Sequence, residues 1–167
     1  AHIVSGNQDQ LRLWNIPGGM RILAGDSARI AVSRDGKRLV VGGDGTLRVV
    51  DAMTGQDIRS ISGIPNALGT VAISPDGQRV LAGLGYDRNT GASDNGKFKM
   101  WDASSGQLLM DFRGHGGGVA KLAFKGIGVV AFSPDGARIV TGGDADGTAA
   151  NAPVGNGKLR IWDPATG

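Results

Sequence analysis

The residues that could perform chemistry are few in this chain of 167 residues. Its two histidines are His2 and His115, and it contains no cysteine. A zinc site takes three or four histidine, cysteine or carboxylate ligands, so two histidines without cysteine do not indicate one. The lack of cysteine also excludes disulfide bonds.

Aspartates in two glycine-rich segments suggest calcium ligands, but neither segment completes the pattern. A typical calcium loop has a third Asp or Asn two residues after the second, and a Glu further on. After Asp144 and Asp146 the chain has Thr148, and no glutamate follows. Asp87, Asn89 and Asp94 form a similarly incomplete set. We therefore predict no metal and no other cofactor, because such residues are also common in β loops.

Other ligand classes find little support. The glycines of segment 114–118 lack the Lys-Ser/Thr of a phosphate-binding loop. With 18 basic and 15 acidic residues the net charge is +3, no basic cluster occurs, and aromatic residues make up 5%. These features disfavour a nucleic-acid surface. No apolar run approaches the roughly 18 residues of a membrane span, and no signal peptide is visible. The compartment stays open, with the cytoplasm favoured.

Short segments that recur along the chain predict the strands and turns that carry its polar residues. The chain has 30 glycines that separate short apolar runs, which is typical of all-β domains. Three segments (30–43, 71–83 and 130–143) share a Ser-x-Asp-Gly sequence, whose serines are 41 and 59 residues apart. The first spacing fits a four-stranded propeller blade of about 40–45 residues, and the second requires an insertion.

Each repeat predicts four strands, which we label a to d. Strands a and b flank the Ser-x-Asp-Gly turn, in which Pro75 and Pro134 favour the turn conformation. Strand c ends at Trp-Asp in two repeats, and a second tight turn leads to strand d at 57–62 and 108–113. No long segment has the apolar period of a helix.

The Ser-Pro-Asp-Gly turns, Gly114-His115 and the Trp-Asp pairs at 101–102 and 162–163 resemble the WD40-repeat β-propeller family. The resemblance implies an all-β fold of four-stranded antiparallel blades around a channel. It predicts one partial propeller over residues 1–167, a WD40-type fragment whose first blade lacks strand a and whose last lacks strand d. The predicted blades cover about 2–25, 29–62, 69–113 and 129–163.

Both ends of such a fragment would have uncovered apolar faces, so we expect self-association or coverage by further blades. A short protein that closes by pairing with itself is the alternative to a piece of a longer chain. The residues expected on these faces are Ile3, Val4, Leu11 and Leu13 at one end, and Ile139, Val140, Leu159 and Ile161 at the other.

The resemblance also implies a structural hydrogen-bond network of His, Ser or Thr, Asp and Trp. The last blade has the fullest set, and the other three blades are expected to depend mainly on apolar packing. Asn156 stands where the family prefers Asp, which would remove a charge-assisted bond. Because this network accounts for the residue types of a Ser–His–Asp triad, we predict no catalytic residue and no enzymatic activity. Its members would be His115, Thr141, Asn156 and Trp162 in the last blade, and Ser5, Asp9, Trp14, Asp44 and Trp101 in the others.

Three connections, at 83–96, 114–128 and 142–157, are longer than their counterparts. In a propeller the b–c and d–a loops emerge on the same face, so all three would lie together. Neutral variation could lengthen loops at little cost, but binding residues often lie on loops of a rigid scaffold. The candidate binding residues are Tyr86, Asp87, Arg88, Asp94, Asp144 and Asp146.

These features predict a non-enzymatic scaffold that binds a protein or peptide on the face with the long loops. Two alternatives stay open. The chain could be the propeller module of a larger bacterial enzyme or signalling protein, with a kinase, protease or haem domain outside this segment. It could also bind a small molecule or sugar at the mouth of the channel.

Overall fold

The computed structural model contains fourteen β-strands, and no helix occurs in the part of the chain that it describes. The all-β prediction is therefore confirmed. The described residues are 2–6, 11–15, 19–24, 29–43, 45–64, 68–84, 97–113, 127–143 and 158–167.

The strands form four antiparallel sheets in chain order. The first sheet contains β1 (His2–Gly6), β2 (Leu11–Asn15) and β3 (Gly19–Ala24). The second contains β4 (Arg29–Val32), β5 (Arg38–Gly43), β6 (Thr46–Asp51) and β7 (Asp57–Ser62). The third contains β8 (Leu68–Ile73), β9 (Arg79–Leu84), β10 (Lys97–Asp102) and β11 (Leu108–Arg113). The last contains β12 (Ile127–Phe132), β13 (Ile139–Gly143) and β14 (Lys158–Trp162).

Within each sheet, strands adjacent in sequence are adjacent in space. The second and third sheets have the complete a-b-c-d order, whereas the first has three strands that correspond to b, c and d. The last sheet has strands a, b and c. The sheets have the strand order of propeller blades that the resemblance implied. The extent of a single domain over residues 1–167, with the blade limits given above, stays a prediction.

The Ser-x-Asp-Gly segments form the turns between strands a and b. In the second sheet the backbone N–H of Arg38 donates to Ser33 Oγ at 2.9 Å, and Lys37 N–H donates to Asp35 Oδ1 at 3.0 Å. Gly36 has a φ of +70°, in the left-handed region that favours glycine. The turn glycines at 77 and 136 have φ values of +71° and +72°, so the same local chemistry recurs in the third and last sheets.

Two apolar clusters lie between consecutive sheets. One cluster joins the second and third sheets and includes Leu47, Val49, Leu68 and Val71. The other joins the third and last sheets and includes Phe98, Met100, Phe112 and Ile139. Strand β8, at the edge of the third sheet, contacts both β4 and β12. The three strands labelled a therefore lie side by side. Burial of these faces supplies the main stabilisation of the stack.

No described strand covers one apolar face of the last sheet, where Val129, Leu159 and Ile161 are exposed. We call it the open face and define it by Val129, Ala131, Val140, Leu159 and Ile161. The prediction that Ile139 lies on this face is wrong. Ile139 is fully buried on the opposite face, against the third sheet. Neighbouring strand residues point to opposite sides of a sheet, so Ile139 and Val140 cannot share a face. The side chains of the first sheet lie outside the described part of the structure.

Candidate functional site

The long connections leave the sheets at one common side. In the third sheet Gly83 pairs with Phe98 near the start of the 83–96 loop, and Lys97 pairs with Arg113. The cross-strand partners show that β9 and β11 end, and β10 begins, at the same side of the sheet. We call this the loop side.

The last sheet has the same arrangement. Gly143, which ends β13, pairs with Ile127 at the start of β12 and with Lys158 at the start of β14. The connections 114–128 and 142–157 therefore also attach at one side of this sheet.

The opposite side of the sheets, which we call the turn side, contains the Ser-x-Asp-Gly turns. Arg79 Nη2, at the start of β9, donates to the carbonyl oxygen of Gly136 at 3.1 Å. This bond joins the turn sides of the third and last sheets, so their loop sides also coincide. The three long connections thus attach to one side of two adjacent sheets.

The described residues at the loop side include positively charged side chains. Lys97 and Arg113 are cross-strand partners, and both are at least partly exposed. One step further into the sheet, Lys99 Nζ lies 3.9 Å from Asp111 Oδ2. Such a solvent-exposed ion pair contributes at most about 1 kcal/mol. The candidate binding residues Tyr86, Asp87, Arg88, Asp94, Asp144 and Asp146 lie outside the described residues.

A hydrogen bond in the last sheet connects two members of the predicted network. The indole Nε1 of Trp162 donates to Oγ1 of Thr141 at 2.8 Å, and Thr141 is fully buried. The Trp162 ring also packs edge-on against the rings of Phe98 and Phe112, with centroid distances of 5.1 and 5.8 Å. This part of the network therefore contributes to the core between two sheets rather than to an open cleft.

The third sheet lacks the matching hydroxyl, because Ala82 stands where the last sheet has Thr141. Trp101 is nevertheless buried in the apolar cluster between the second and third sheets. The other predicted members of the network lie outside the described part of the structure, so their roles stay predictions. They are His115, Asn156, Asp44, Asp9 and the side chains of Ser5 and Trp14.

The aspartates that end strand c have a role that was not predicted from the sequence. Asp102 Oδ1 accepts hydrogen bonds from Ser104 N–H at 3.0 Å and from Ser105 N–H at 2.7 Å. The equivalent Asp51 Oδ1 accepts from Met53 and Thr54 N–H at 2.9 and 2.7 Å. The Asp of the Trp-Asp pair thus closes the turn between strands c and d, as Asx turns do. The Asp-x-x-Ser/Thr spacing was the available signal.

These hydrogen bonds lower the pKa of the turn aspartates. The backbone N–H of Thr54 is the main cause for Asp51, and that of Ser105 for Asp102. The Ser74 hydroxyl is the main cause of the lowered pKa of Asp76, followed by the Gln78 N–H and the charge of Arg79. Each interaction favours the charged carboxylate. In the charged form these carboxylates therefore stabilise the turns.

The described part of the chain contains neither a cluster of metal ligands nor a membrane-spanning helix. No group of three or more His, Asp or Glu side chains there could hold a metal ion. No helix long and apolar enough to cross a membrane occurs among these residues. The prediction that the chain takes no cofactor remains a prediction.

Four successive antiparallel sheets with recurring turns define a propeller-type repeat protein. The WD40 family, described as "WD domain, G-beta repeat", matches residues 20–51 and 106–163, more than half of the chain. The chain therefore belongs to the WD40-repeat family. WD repeats generally mediate protein–protein interaction, and proteins of this family generally act as non-enzymatic scaffolds.

Two relatives agree with this assignment. Over 115 residues the chain is 27% identical to an uncharacterized WD repeat-containing protein of Synechocystis sp., covering 69% of this chain and 28% of that protein. Over 104 residues it is 30% identical to WD repeat-containing protein 82 of Drosophila melanogaster, covering 59% of this chain and 30% of that protein. The chain thus spans less than a third of the length of the curated relatives it matches.

Proposed function

We propose that this chain is a non-enzymatic scaffold that binds a protein or peptide partner on its loop side. The observation that carries the proposal is the common attachment of the connections 83–96, 114–128 and 142–157 to one side of the third and last sheets. Two adjacent sheets packed through a buried core form a rigid base for these connections. Loops held on such a base are a frequent location of binding residues.

The turn side is less suited to binding by adaptable loops. Its connections are short and are stabilised by hydrogen bonds within the turn, such as those that Asp102 and Ser33 accept from backbone N–H groups. Several of their carbonyl groups are already used between sheets, as the Arg79 bond to Gly136 illustrates. The difference between the two sides favours the loop side as the partner surface.

Shortening one loop at a time tests the proposal. Deletion of residues 85–94 would join Leu84 to Asn95 and give the third sheet a connection as short as the 42–46 segment of the second sheet. Deletion of 144–155 would do the same for the last sheet. Both deletions leave every described strand intact, so the variants should keep their melting temperatures within a few degrees.

Partners are identified by affinity purification from the source cells, and their affinities are then measured with purified components by calorimetry. We expect either deletion to weaken binding roughly ten-fold or more, since a few interface residues dominate affinity. The matched control is Gln78→Ala, which changes an exposed residue on the turn side. Unchanged affinity for both deletions, or a loss with Gln78→Ala alone, would contradict the proposal.

A further inference from the structure

Three arginines of the second sheet donate hydrogen bonds to backbone carbonyl groups of the third sheet. Arg29 lies at the loop side, Arg38 lies at the turn side, and Arg59 lies on the outer strand β7. Because the three bonds are far apart and do not lie on one line, together they fix the orientation of one sheet against the other. The pairs are Arg29 Nε to Gly69 O at 2.8 Å, Arg38 Nη1 to Gly77 O at 2.7 Å, and Arg59 Nε to Ser104 O at 2.8 Å.

The interface between the third and last sheets retains one of these three arginines. Arg79 Nη2 makes the turn-side bond, to the Ser-x-Asp-Gly turn of the last sheet at 3.1 Å. The cross-strand registers place Thr70 in the position of Arg29, and Met110 in the position of Arg59. Methionine has no hydrogen-bond donor, and a threonine hydroxyl, attached directly to Cβ, does not reach as far as a guanidinium. Neither residue can therefore replace the arginine.

The packing of the outer strands confirms that the two positions are equivalent. A Cβ on Gly106 would lie 3.2 Å from Arg59 Cδ, and a Cβ on Gly167 would lie 3.4 Å from Met110 Sδ. Both side chains therefore cover the same glycine of the turn after strand c in the following sheet. The arginine also bonds that turn, whereas the methionine only packs against it.

A second arginine bonds the same turn of the last sheet. Arg34 stands where the other two Ser-x-Asp-Gly turns have Pro75 and Pro134. Its Nη1 donates to the carbonyl oxygen of Pro134 at 3.2 Å, across 100 residues of the chain. Two guanidinium groups, Arg34 of the second sheet and Arg79 of the third, thus hold the last sheet at its turn side.

The packing between the third and last sheets is mainly aromatic and apolar. The rings of Phe98 and Phe112 stack with a centroid distance of 4.2 Å, and Trp162 meets both edge-on. Apolar contact is not directional, so such surfaces can slide over small distances and stay in contact. A hydrogen bond weakens steeply when its angle changes. The interface with three charged bonds therefore resists rotation more than the interface with bonds at one corner.

We propose that the last sheet rotates about its Ser-x-Asp-Gly turn, whereas the second and third sheets move as one body. A strand of six residues is about 20 Å long, so a rotation of about 10° would displace the loop-side end of β12 by roughly 3 Å. The connections 114–128 and 142–157 attach at that end of the last sheet, and 83–96 attaches to the third sheet. The rotation therefore changes the spacing of the long connections. This inference goes beyond the proposed function and holds or fails without any partner.

Distances between pairs of spin labels measure the rotation. The chain has no cysteine, so two introduced cysteines are labelled specifically. Ser62→Cys with Arg113→Cys compares the second and third sheets, since both residues are exposed and end strand d at the loop side. Ser62→Cys with Leu159→Cys compares the second and last sheets, and Leu159 is 78% exposed. By pulsed electron paramagnetic resonance at low protein concentration, we expect the second distance distribution to be roughly two-fold broader or more.

A third pair of labels tests the position of the pivot. Lys37→Cys and Ala137→Cys lie at matching, exposed positions of the turns in the second and last sheets. Their distance distribution should be as narrow as that between the second and third sheets, because both turns lie at the pivot. Arg34→Pro gives the second sheet the Ser-Pro-Asp-Gly turn of the other two, and it should broaden this distribution.

Exchanging residues between the two interfaces is the sharpest test. Thr70→Arg gives the third sheet the counterpart of Arg29, and it should narrow the distribution between the second and last sheets by roughly half. Met110→Arg, at the outer strand, should act in the same direction. Arg29→Thr should broaden the distribution between the second and third sheets. The matched control is Gln56→Arg, which adds the same charge at an exposed turn position and should leave all widths unchanged.

Three results would overturn the inference. The first is an equal width for the loop-side pairs that report on the two interfaces. The second is an unchanged width in both Thr70→Arg and Met110→Arg, with circular dichroism and melting temperature like those of the parent chain. The third is a turn-side distribution as broad as the loop-side one, which would exclude a pivot at the turn. No partner takes part in these measurements, so they are independent of whether the loop deletions weaken binding.

Discussion

The second and last sheets have nearly the same sequence pattern but opposite surroundings. Leu47 and Leu159 are the same residue type at the same place in strand c, yet their exposures are 0% and 78%. The second sheet is covered on this side by β8 of the third sheet, and no described strand covers the last sheet there. Burial in this fold is thus decided by the neighbouring sheet and not by the strand's own sequence.

The comparison also separates two kinds of stabilisation. Turn hydrogen bonds are local, and the Ser-x-Asp-Gly turn of the last sheet has the same ones: Arg138 N–H donates to Ser133 Oγ at 2.9 Å, as Arg38 does to Ser33. The contacts between sheets are not local, and no described strand supplies them at the open face. Local chemistry can therefore form each hairpin, while the stability of a sheet depends on the area that its neighbours bury.

The largest expected difference comes from replacing the two matched leucines. Leu47→Ala should lower the free energy of unfolding by about 2–5 kcal/mol, because it leaves a cavity among buried residues such as Val40 and Leu68. Leu159→Ala should change it by less than about 0.5 kcal/mol, since the side chain is exposed. Urea unfolding at low protein concentration measures both. Equal losses would show that the open face is covered in solution.

A smaller difference is expected from two matched glycines. A Cβ on Gly42 would lie 2.8 Å from Leu68 Cδ1 of the third sheet, so Gly42→Ala should lower the unfolding free energy by about 1–3 kcal/mol. A Cβ on Gly142 would meet only Leu159 at 3.3 Å and Val129 at 3.8 Å, and Leu159 can move aside. Gly142→Ala should therefore be neutral or slightly stabilising. Thermal melts that rank the two variants in the reverse order would contradict this account.

Much of the architecture was predictable from sequence because its determinants are local. The Ser-x-Asp-Gly serines at 33, 74 and 133 identify the turns between strands a and b, and the pattern after strand c predicts strands d at 57–62 and 108–113. The structure has those two strands with the predicted limits. The resemblance to WD40 repeats added the sheet order.

Contacts between sheets could not be predicted from the sequence, because they join residues that are far apart along the chain. The bond from Arg79 to Gly136 spans 57 residues, and no local pattern shows that the two groups meet. Ile139 and Val140 are consecutive in β13, so they lie on opposite faces, and Ile139 packs against the third sheet. The candidate binding residues of the long loops stay predictions, because they lie outside the described residues.

Loss of the hydrogen bond between Trp162 and Thr141 should lower the unfolding free energy by less than the leucine and glycine replacements at the buried interface do. Thr141→Val keeps the shape of the side chain but removes the acceptor of the indole N–H, and it should lower the unfolding free energy by about 1 kcal/mol. A double-mutant cycle with Trp162→Phe isolates the pair, and we expect a coupling of about 1 kcal/mol. Ala82 at the matching position shows that a sheet can form without this hydroxyl. Additive losses would place the stabilisation in the aromatic packing with Phe98 and Phe112 instead.

The smallest expected effect is a difference between the third and last sheets in how far their turn aspartates make the unfolding free energy depend on pH. Hydrogen bonds from Ser74 and Ser133 are the main causes of the lowered pKa values of Asp76 and Asp135. A carboxyl with a lower pKa in the folded state contributes stability above its unfolded pKa of about 3.9, and that contribution is lost as pH falls through the folded value. Asp76→Asn and Asp135→Asn should each flatten the decline in unfolding free energy between about pH 5 and pH 2. Because Ser74 is fully buried and Ser133 is partly exposed, Asp76→Asn should flatten it more. Urea titrations at a series of pH values measure the slopes, and a steeper decline in either variant would contradict the assigned direction of the pKa shift.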